Sequence, residues 1–336
     1  GRPRTGVFRL SDLVGHDTSA KVIETIRTRC TEDEQVGAFE IPKYIDFLLE
    51  NKFLGDKTGQ GFYKKTKEKD ANGRKIVLAL DLDKLEYRPK ERVKLASLDG
   101  VKTIESLSGR IKYFFKQDDK AAQLVQKSLA GLFAYVSNRI PEISDNLYSI
   151  DDALRSGFAW DVGPFEYWDM IGAEAGIAAA EANGETVAQW VHDMVAAGHE
   201  NFYKVEGGVT MYYDIDAKAY KAVPGMEEFV ILDNIRSNKP VYENPEAVAH
   251  DIGDGVLCLE FRSKMNSIGE GVLRGINDTI QLAEDEGWNG VVIGNNAEHF
   301  SVGANLMMIG MMAGQGEFEE LNFAVNAFQQ TTMRCR

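Results

Sequence analysis

Cysteine, proline and histidine are scarce in this chain, and positive charge is outnumbered. Three cysteines (Cys30, Cys258, Cys335) stand far apart in 336 residues, so there is no framework of bridges and no pair at metal-ligand spacing. A reducing, cytoplasmic compartment fits, and no metal is expected. Lys and Arg number 38 against 52 Asp and Glu, a net charge of −14. Phosphate therefore repels the chain as a whole, which disfavours nucleic acid or an anionic membrane as a partner. A small molecule or another protein is expected instead. Long apolar runs are missing too. The longest uncharged stretch, His299 to Gly316, contains four glycines together with His299, Ser301, Asn305 and Gln315, which is too polar for a lipid-facing helix. No basic start followed by an apolar centre marks a secretory signal. Gly1 stands first and Gly1-Arg2-Pro3-Arg4 runs straight into what reads as the middle of a domain; a piece of a longer protein is the expectation.

What the chain does have is an internal repeat, which takes precedence over motifs because it changes the fold. Gly6-Val7-Phe8-Arg9-Leu10-Ser11-Asp12-Leu13-Val14-Gly15 returns as Gly163-Pro164-Phe165-Glu166-Tyr167-Trp168-Asp169-Met170-Ile171-Gly172. Downstream, Phe62-Tyr63-Lys64 returns as Phe202-Tyr203-Lys204. Asp81-Leu82-Asp83 followed by Tyr87 returns as Asp214-Ile215-Asp216 followed by Tyr220. The spacing predicts a duplicated unit of helices, each closed by a short two-stranded arm.

The helical period supports this. Leu10, Leu13 and Val14 share a face, as do Tyr44, Phe47 and Leu48 after Pro42; Leu129, Leu132, Phe133 and Val136 form a stripe, and Ile150 to Leu154 starts another. Asn72-Gly73 marks a turn, with the apolar run Ile76 to Leu82 after it. From about Asn234 the character changes. Val248–Ile252 and Val256–Phe261 flank Gly253-Asp254-Gly255, a hairpin signal. An amphipathic helix through Val272 or Leu273, Ile276, Ile280 and Ala283, then an apolar strand Trp288–Ile293, argue a right-handed parallel crossover.

The sharpest local feature follows that strand: His299-Phe300-Ser301-Val302-Gly303-Ala304-Asn305-Leu306 leads into a Met-rich helix. A loop opening a helix after a buried parallel strand presents free backbone N–H groups and a positive dipole end. Gly303 allows close approach and small Ala304 leaves its own N–H uncovered, which suits a developing oxyanion or a phosphate. Plain packing is the alternative reading of such a loop. Met307, Met308, Met311 and Met312 are expected chiefly as a buried seam, with acyl contact by one or two as the alternative. Glu317, Glu319 and Glu320 read as the solvated face of a helix from Phe318 to Met333. His16, His192, His199 and His250 read as surface or packed side chains, and His299 borders the loop.

Residues Val256 through Leu306, with Lys264-Met265-Asn266-Ser267-Ile268 and Phe300-Ser301-Val302-Gly303-Ala304-Asn305-Leu306, resemble the first third of the enoyl-CoA hydratase/isomerase (crotonase) superfamily. The two repeats resemble the helical C-terminal domain of 3-hydroxyacyl-CoA dehydrogenases; the second carries Ser137-Asn138-Arg139, Ile150-Asp151, Gly157-Phe158 and Gly163-Pro164-Phe165-Glu166. Together they resemble bacterial fatty-acid β-oxidation proteins in which a dehydrogenase precedes a hydratase. The resemblance implies a multidomain chain: two mainly α dehydrogenase C-terminal-type domains (1–66 and 99–205), connectors with short hairpins (67–98 and 206–227), and an incomplete α/β crotonase-like ββα spiral domain (228–336).

The same resemblance implies residue roles. The Ala304 N–H is the first oxyanion donor, placed by Gly303; Ser263, Lys264, Met265, Val302, Asn305 and Leu306 lie along coenzyme A; Asn138 contacts substrate by motif, against a structural reading as part of a second copy. Asn305 stands where the family has Asp. The implied ligands of the parent protein are NAD and a CoA thioester, with none held tightly by this piece, and the implied partners are a second copy of the chain and a thiolase subunit. A second oxyanion donor, the two hydrating glutamates and the dehydrogenase His–Glu pair find no counterpart here, so the chain is expected to be inactive alone. Gly55 to Gly61 has the wrong context for a dinucleotide cradle. The alternative is a silent scaffold or acyl-CoA-binding module, in which Trp160, Phe165, Tyr167 and Trp168 supply an aromatic contact patch.

Overall fold

The apolar periods become helices in the computed structural model, which describes residues 1–91, 93–227, 229–297 and 299–336. Two compact units form, 1–200 and 201–336. Both expected helical segments fall in the first unit except for the last few residues of the second; residue 228, where the last expected domain begins, lies outside the described residues. Among the described residues no helix is long and apolar enough to cross a membrane.

The first unit carries ten α-helices among the described residues: α1 (Val7–Val14), α2 (His16–Arg29), α3 (Lys43–Glu50), α4 (Ala96–Gly100), α5 (Leu107–Phe114), α6 (Lys120–Asn138), α7 (Leu147–Phe158), α8 (Pro164–Asp169), α9 (Ala173–Ala182) and α10 (Gln189–Ala196). Asp119 starts α6 by accepting from the Ala121 and Ala122 N–H groups, and the stripe Leu129, Phe133 and Val136 is buried as the period predicts. Pro164 occupies the first turn of α8, where its missing N–H costs nothing, and Glu166 returns to the Gly163 N–H at 2.6 Å. The Trp168 ring stacks on Phe133 with centroids 5.0 Å apart, and its Nε1–H donates to the Ala173 carbonyl at 3.0 Å. Of the aromatic contact patch in the scaffold alternative, Phe165, Tyr167 and Trp168 are core residues and Trp160 is half-buried, so three of its four members are not on the surface.

Helix α1 reverses its expected face. Leu10, Leu13 and Val14 are exposed, whereas Asp12 is buried. The reason lies fifty residues away: the Asp12 carboxylate accepts from the Phe62 and Tyr63 N–H groups at 2.7 and 2.9 Å, and the buried His16 Nε2 lies 3.0 Å from it. A sheet follows in the order β1 (Tyr63–Lys69), β2 (Lys75–Leu80), β3 (Tyr87–Pro89). Leu80 reaches back to Leu48 and Phe62 in a small core.

The second unit opens with the antiparallel strands β4 (Tyr203–Glu206), β5 (Val209–Asp214) and β6 (Ala219–Ala222). Both expected arms therefore have three strands, because the Tyr87 and Tyr220 segments also pair. Their construction corresponds. The Phe62 carbonyl accepts from the Leu80 N–H at 2.9 Å and the Phe202 carbonyl from the Tyr213 N–H at 2.7 Å; the Tyr87 hydroxyl donates to Gly61 and the Tyr220 hydroxyl to Asn201. After α11 (Leu232–Ile235) comes a four-stranded sheet, β10-β9-β8-β7, built from β7 (Tyr242–Asn244), β8 (Ala247–Asp251), β9 (Val256–Phe261) and β10 (Gly290–Ile293). The Gly253-Asp254-Gly255 turn has positive φ throughout, at 94°, 53° and 69°. Helix α12 (Glu270–Glu286) buries Val272 and Ile276 against Ala247, Ala249, Leu259 and Phe261, and its Ala283 is buried too. Helices α13 (Leu306–Gln315) and α14 (Phe318–Arg334) close the chain.

Candidate active site

Strands β9 and β10 run parallel, Val291 opposite Leu257, with α12 as the crossover between them. Two loops leave the same end of these strands and are stitched together. Asn295 accepts from the Phe261 N–H at 2.7 Å. The first loop turns tightly: Met265 and Asn266 both have positive φ, 56° and 53°, and Ser263 donates to the Ser267 carbonyl at 2.6 Å. Asn266 is buried and donates to the His299 carbonyl at 3.1 Å, while Ser301 donates to the Asn266 carbonyl at 2.6 Å. The Ile268 N–H donates to the Gly303 carbonyl at 2.8 Å. Thus the expected 263–265 and 302–306 groups are brought into neighbouring loops.

At Gly303 φ is +86°. A Cβ there would meet nothing, so glycine is required by the backbone conformation and not by space. That turn leaves the Ala304 N–H without a hydrogen bond among the described residues, and Ala304 lines a cavity of about 520 Å3. Its other walls are largely apolar: Ile268, Leu273, Met308, Met312 and Phe328. Asn305 also lines it and caps α13, its Oδ1 accepting from the Met308 N–H at 3.3 Å. Asn305 is thus a neutral residue that satisfies the helix start.

The remaining candidates distribute unevenly. Lys264, Met265, Val302 and Leu306 are exposed, and Ser263 is half-buried. Asn138 spends its side-chain amide on the Ala134 and Thr186 carbonyls, at 2.9 and 2.7 Å. No residue of α13 is buried, which corrects the expected methionine seam; Met308 and Met312 face the cavity instead. Glu317 and Glu319 are exposed as expected, and Glu320 is an exposed residue on the cavity wall. The His299 side chain is exposed and is not part of that wall. Sequence reasoning missed Asn266, which joins the two loops, and Ile268 and Phe328 in the wall; a polar residue at positive φ beside two serines is a weak signal, and Phe328 comes from a helix sixty residues further along the chain.

The glycines from 55 to 61 do not fit a dinucleotide. A Cβ at Gly55 would stand 2.2 Å from the Asp12 carbonyl oxygen and one at Gly61 2.2 Å from Asp12 Oδ1. Their close approach serves Asp12, leaving no pyrophosphate cradle there. Among the described residues, no group of three His, Cys, Asp or Glu is placed to hold a metal ion.

Residues 1–65 match the family model for the C-terminal domain of 3-hydroxyacyl-CoA dehydrogenase. Over its whole length the chain is 34% identical to a probable 3-hydroxyacyl-CoA dehydrogenase of Bacillus subtilis, covering 41% of that protein. It is 25% identical, over 98% of its length, to a putative fatty acid oxidation complex trifunctional enzyme of Rickettsia prowazekii, again covering 41% of the relative. A protein of the same description in Rickettsia felis is 24% identical and is covered to 42%. The chain thus spans about two fifths of these relatives. The matched dehydrogenase domain thus covers helices α1 to α3 and the first residues of β1.

Proposed function

We propose that the chain is part of a fatty-acid β-oxidation enzyme that hydrates 2-enoyl-CoA and oxidises the resulting 3-hydroxyacyl-CoA. In this reading 1–66 and 99–205 are two copies of the dehydrogenase C-terminal domain, and 228–336 begins a crotonase domain. The matching carbonyl and tyrosine contacts of the two three-stranded sheets support the duplication. The relatives' descriptions support the dehydrogenase half.

One observation carries the hydratase half: the unpaired Ala304 N–H, set by Gly303, on the wall of an apolar cavity. When water adds to C3 of an enoyl thioester, the electron pair of the double bond moves onto the carbonyl oxygen, and a proton is then taken up at C2. A fixed backbone donor stabilises that enolate without reorganising, and removing one such donor costs on the order of 3 kcal/mol in transition-state stabilisation. Met308, Met312 and Phe328 keep water from the acyl chain. The reading needs a second oxyanion donor and the proton-transferring glutamates from outside residues 256–306. NAD supplies the hydride acceptor in the dehydrogenase family; the described residues do not fit it, and no hydride step is assigned to them.

The purified chain is expected to show no hydration of crotonyl-CoA, and turnover would refute the need for further residues. It is expected to bind a CoA thioester about tenfold more weakly after Ala304→Pro, which lacks the backbone N–H. Unchanged affinity would remove Ala304 from the site.

A further inference from the structure

A chain of net charge −14 gathers cations on one sheet. Between Tyr63 and Lys90 nine Lys or Arg stand against five Asp or Glu; across the corresponding sheet, Tyr203 to Val223, the numbers are three and three. Antiparallel partners share a face and side chains alternate along a strand. The pairing Tyr63↔Ala79 and Lys65↔Val77 therefore puts Lys65 on the face of Tyr63.

This face and α1 line a cleft of about 770 Å3, with Arg9, Asp56, Tyr63, Lys65 and Lys90 in its wall. Arg9 is fixed by two hydrogen bonds to Asp56, at 2.7 and 2.5 Å, which neutralises both. Lys65 and Lys90 make no ion pair among the described residues, and the Lys90 Nζ lies 5.9 Å from the centre of the Tyr63 ring.

The second repeat acts as an internal control. Aligned on Gly6/Gly163, Phe62/Phe202 and Tyr87/Tyr220, the positions of Arg9, Lys65 and Lys90 are Glu166, Val205 and Val223. The second sheet keeps the strand pairing, with Tyr203 opposite Tyr212 and Tyr213 opposite Tyr220. The arm therefore folds without these cations, and their presence in the first copy calls for another reason.

We propose that this cleft binds the phosphate groups of an organic phosphate, with Lys65 and Lys90 as contacting cations, Tyr63 as the flat surface beside them and Arg9 braced by Asp56. The size lies within the range of small-molecule sites. The 3′-phosphate and diphosphate of coenzyme A have the required chemistry; naming coenzyme A rests on the function proposed above, whereas the anion site does not.

Calorimetric titration of the 336-residue chain with CoA, 3′-dephospho-CoA, ADP and pantetheine, at low and high salt, tests the site. CoA and ADP are expected to bind here, more weakly as salt rises, and the Lys65→Glu/Lys90→Glu pair is expected to weaken both at least tenfold. Ala304→Pro is expected to leave ADP binding unchanged, so a failure of the Ala304 site and a failure of this cleft read out separately. A preference for CoA over ADP and 3′-dephospho-CoA identifies the coenzyme as the source of the phosphate; equal binding identifies a free nucleotide. Both lysines are exposed, so a thermal melt is expected to show an intact fold, and Lys65→Gln/Lys90→Gln gives the same test with charge removed if reversal shifts the melt. Phosphate affinity unaltered by either pair, or no binding of ADP or CoA, overturns the proposal.

Discussion

Replacing Asp12 by Ala is expected to loosen the first unit at a point fifty residues away in sequence. Asp12 and His16 are 1% and 0% exposed, and three donors converge on the carboxylate: the Phe62 N–H at 2.7 Å, the Tyr63 N–H at 2.9 Å and His16 at 3.0 Å. Each buried donor left without an acceptor costs roughly 1–3 kcal/mol. Three of them, less the relief of no longer burying a carboxylate, give a loss of about 4 kcal/mol. Amide hydrogen exchange at Phe62 and Tyr63 reads this directly, since 1.4 kcal/mol is a factor of ten and the loss corresponds to roughly a thousandfold faster exchange. Asp12→Asn keeps one acceptor oxygen and is expected to lose about half as much. His16→Leu removes one donor and leaves both backbone bonds, so about 1 kcal/mol is expected. Exchange accelerated less than tenfold in Asp12→Ala, or equally in His16→Leu, would refute the idea that Asp12 holds the start of the sheet.

Three further outcomes follow from single contacts. His250 is 4% exposed, and burial together with Arg262 holds its pKa below the ordinary 6.5, against the pull of Glu260. The unfolded chain then binds the proton first, so the second unit loses stability as pH falls below about 6.5; a urea midpoint that does not drop between pH 7.5 and 5.5, or drops equally in His250→Gln, would contradict this. Asn305→Ala is expected to cost about 1 kcal/mol at the start of α13 and Asn305→Asp to cost nothing, since a carboxylate also caps and suits the dipole; exchange rates at 306–308 distinguish them. Gly61→Ala puts a Cβ 2.2 Å from Asp12 Oδ1, while Gly59→Ala meets no atom and faces only its φ of +74°; equal melting temperatures would show that Asp12 can move away freely.

These perturbations separate what was legible in the sequence from what was not. The hairpin before β9 and the stripe of α12 were legible because one side of each element is buried by its immediate neighbours, so period and partner lie within a few dozen residues. In α1 the same rule misled. Leu10, Leu13 and Val14 have core spacing yet are 51%, 52% and 48% exposed, because the buried partner of this helix is a backbone turn at Phe62 that no local period announces. Strand β3 is three residues long and shows no alternation, so the third strand of each arm escaped notice. At the candidate site the Gly303–Ala304 turn was visible as a motif. Its apolar wall was not, since Phe328 reaches it from α14 and no residue of α13 is buried.

The proposed repeat shows which residues a fold holds fixed and which it releases. Phe62 and Phe202 are kept as buried rings, and Tyr87 and Tyr220 with their hydroxyl bonds to the Gly61 and Asn201 carbonyls; these tyrosine contacts end on main chain whose position the sheet dictates, so a residue without the hydroxyl would take a donor from those carbonyls. Side chains aimed outward carry no such obligation. Phe8 is 42% exposed where Phe165 is fully buried, and Arg9 grips Asp56 where Glu166 closes the turn of α8 on Gly163. In the proposed duplication one copy can therefore keep its frame while specialising at a face: the strand pairing is similar in the two sheets, whereas the cations of the cleft are present in the first alone. If the cations had served the frame, restoring them by Val205→Lys and Val223→Lys would stabilise the second sheet. The expected result is no gain in melting temperature, and a rise of several degrees would return Lys65 and Lys90 to a structural role.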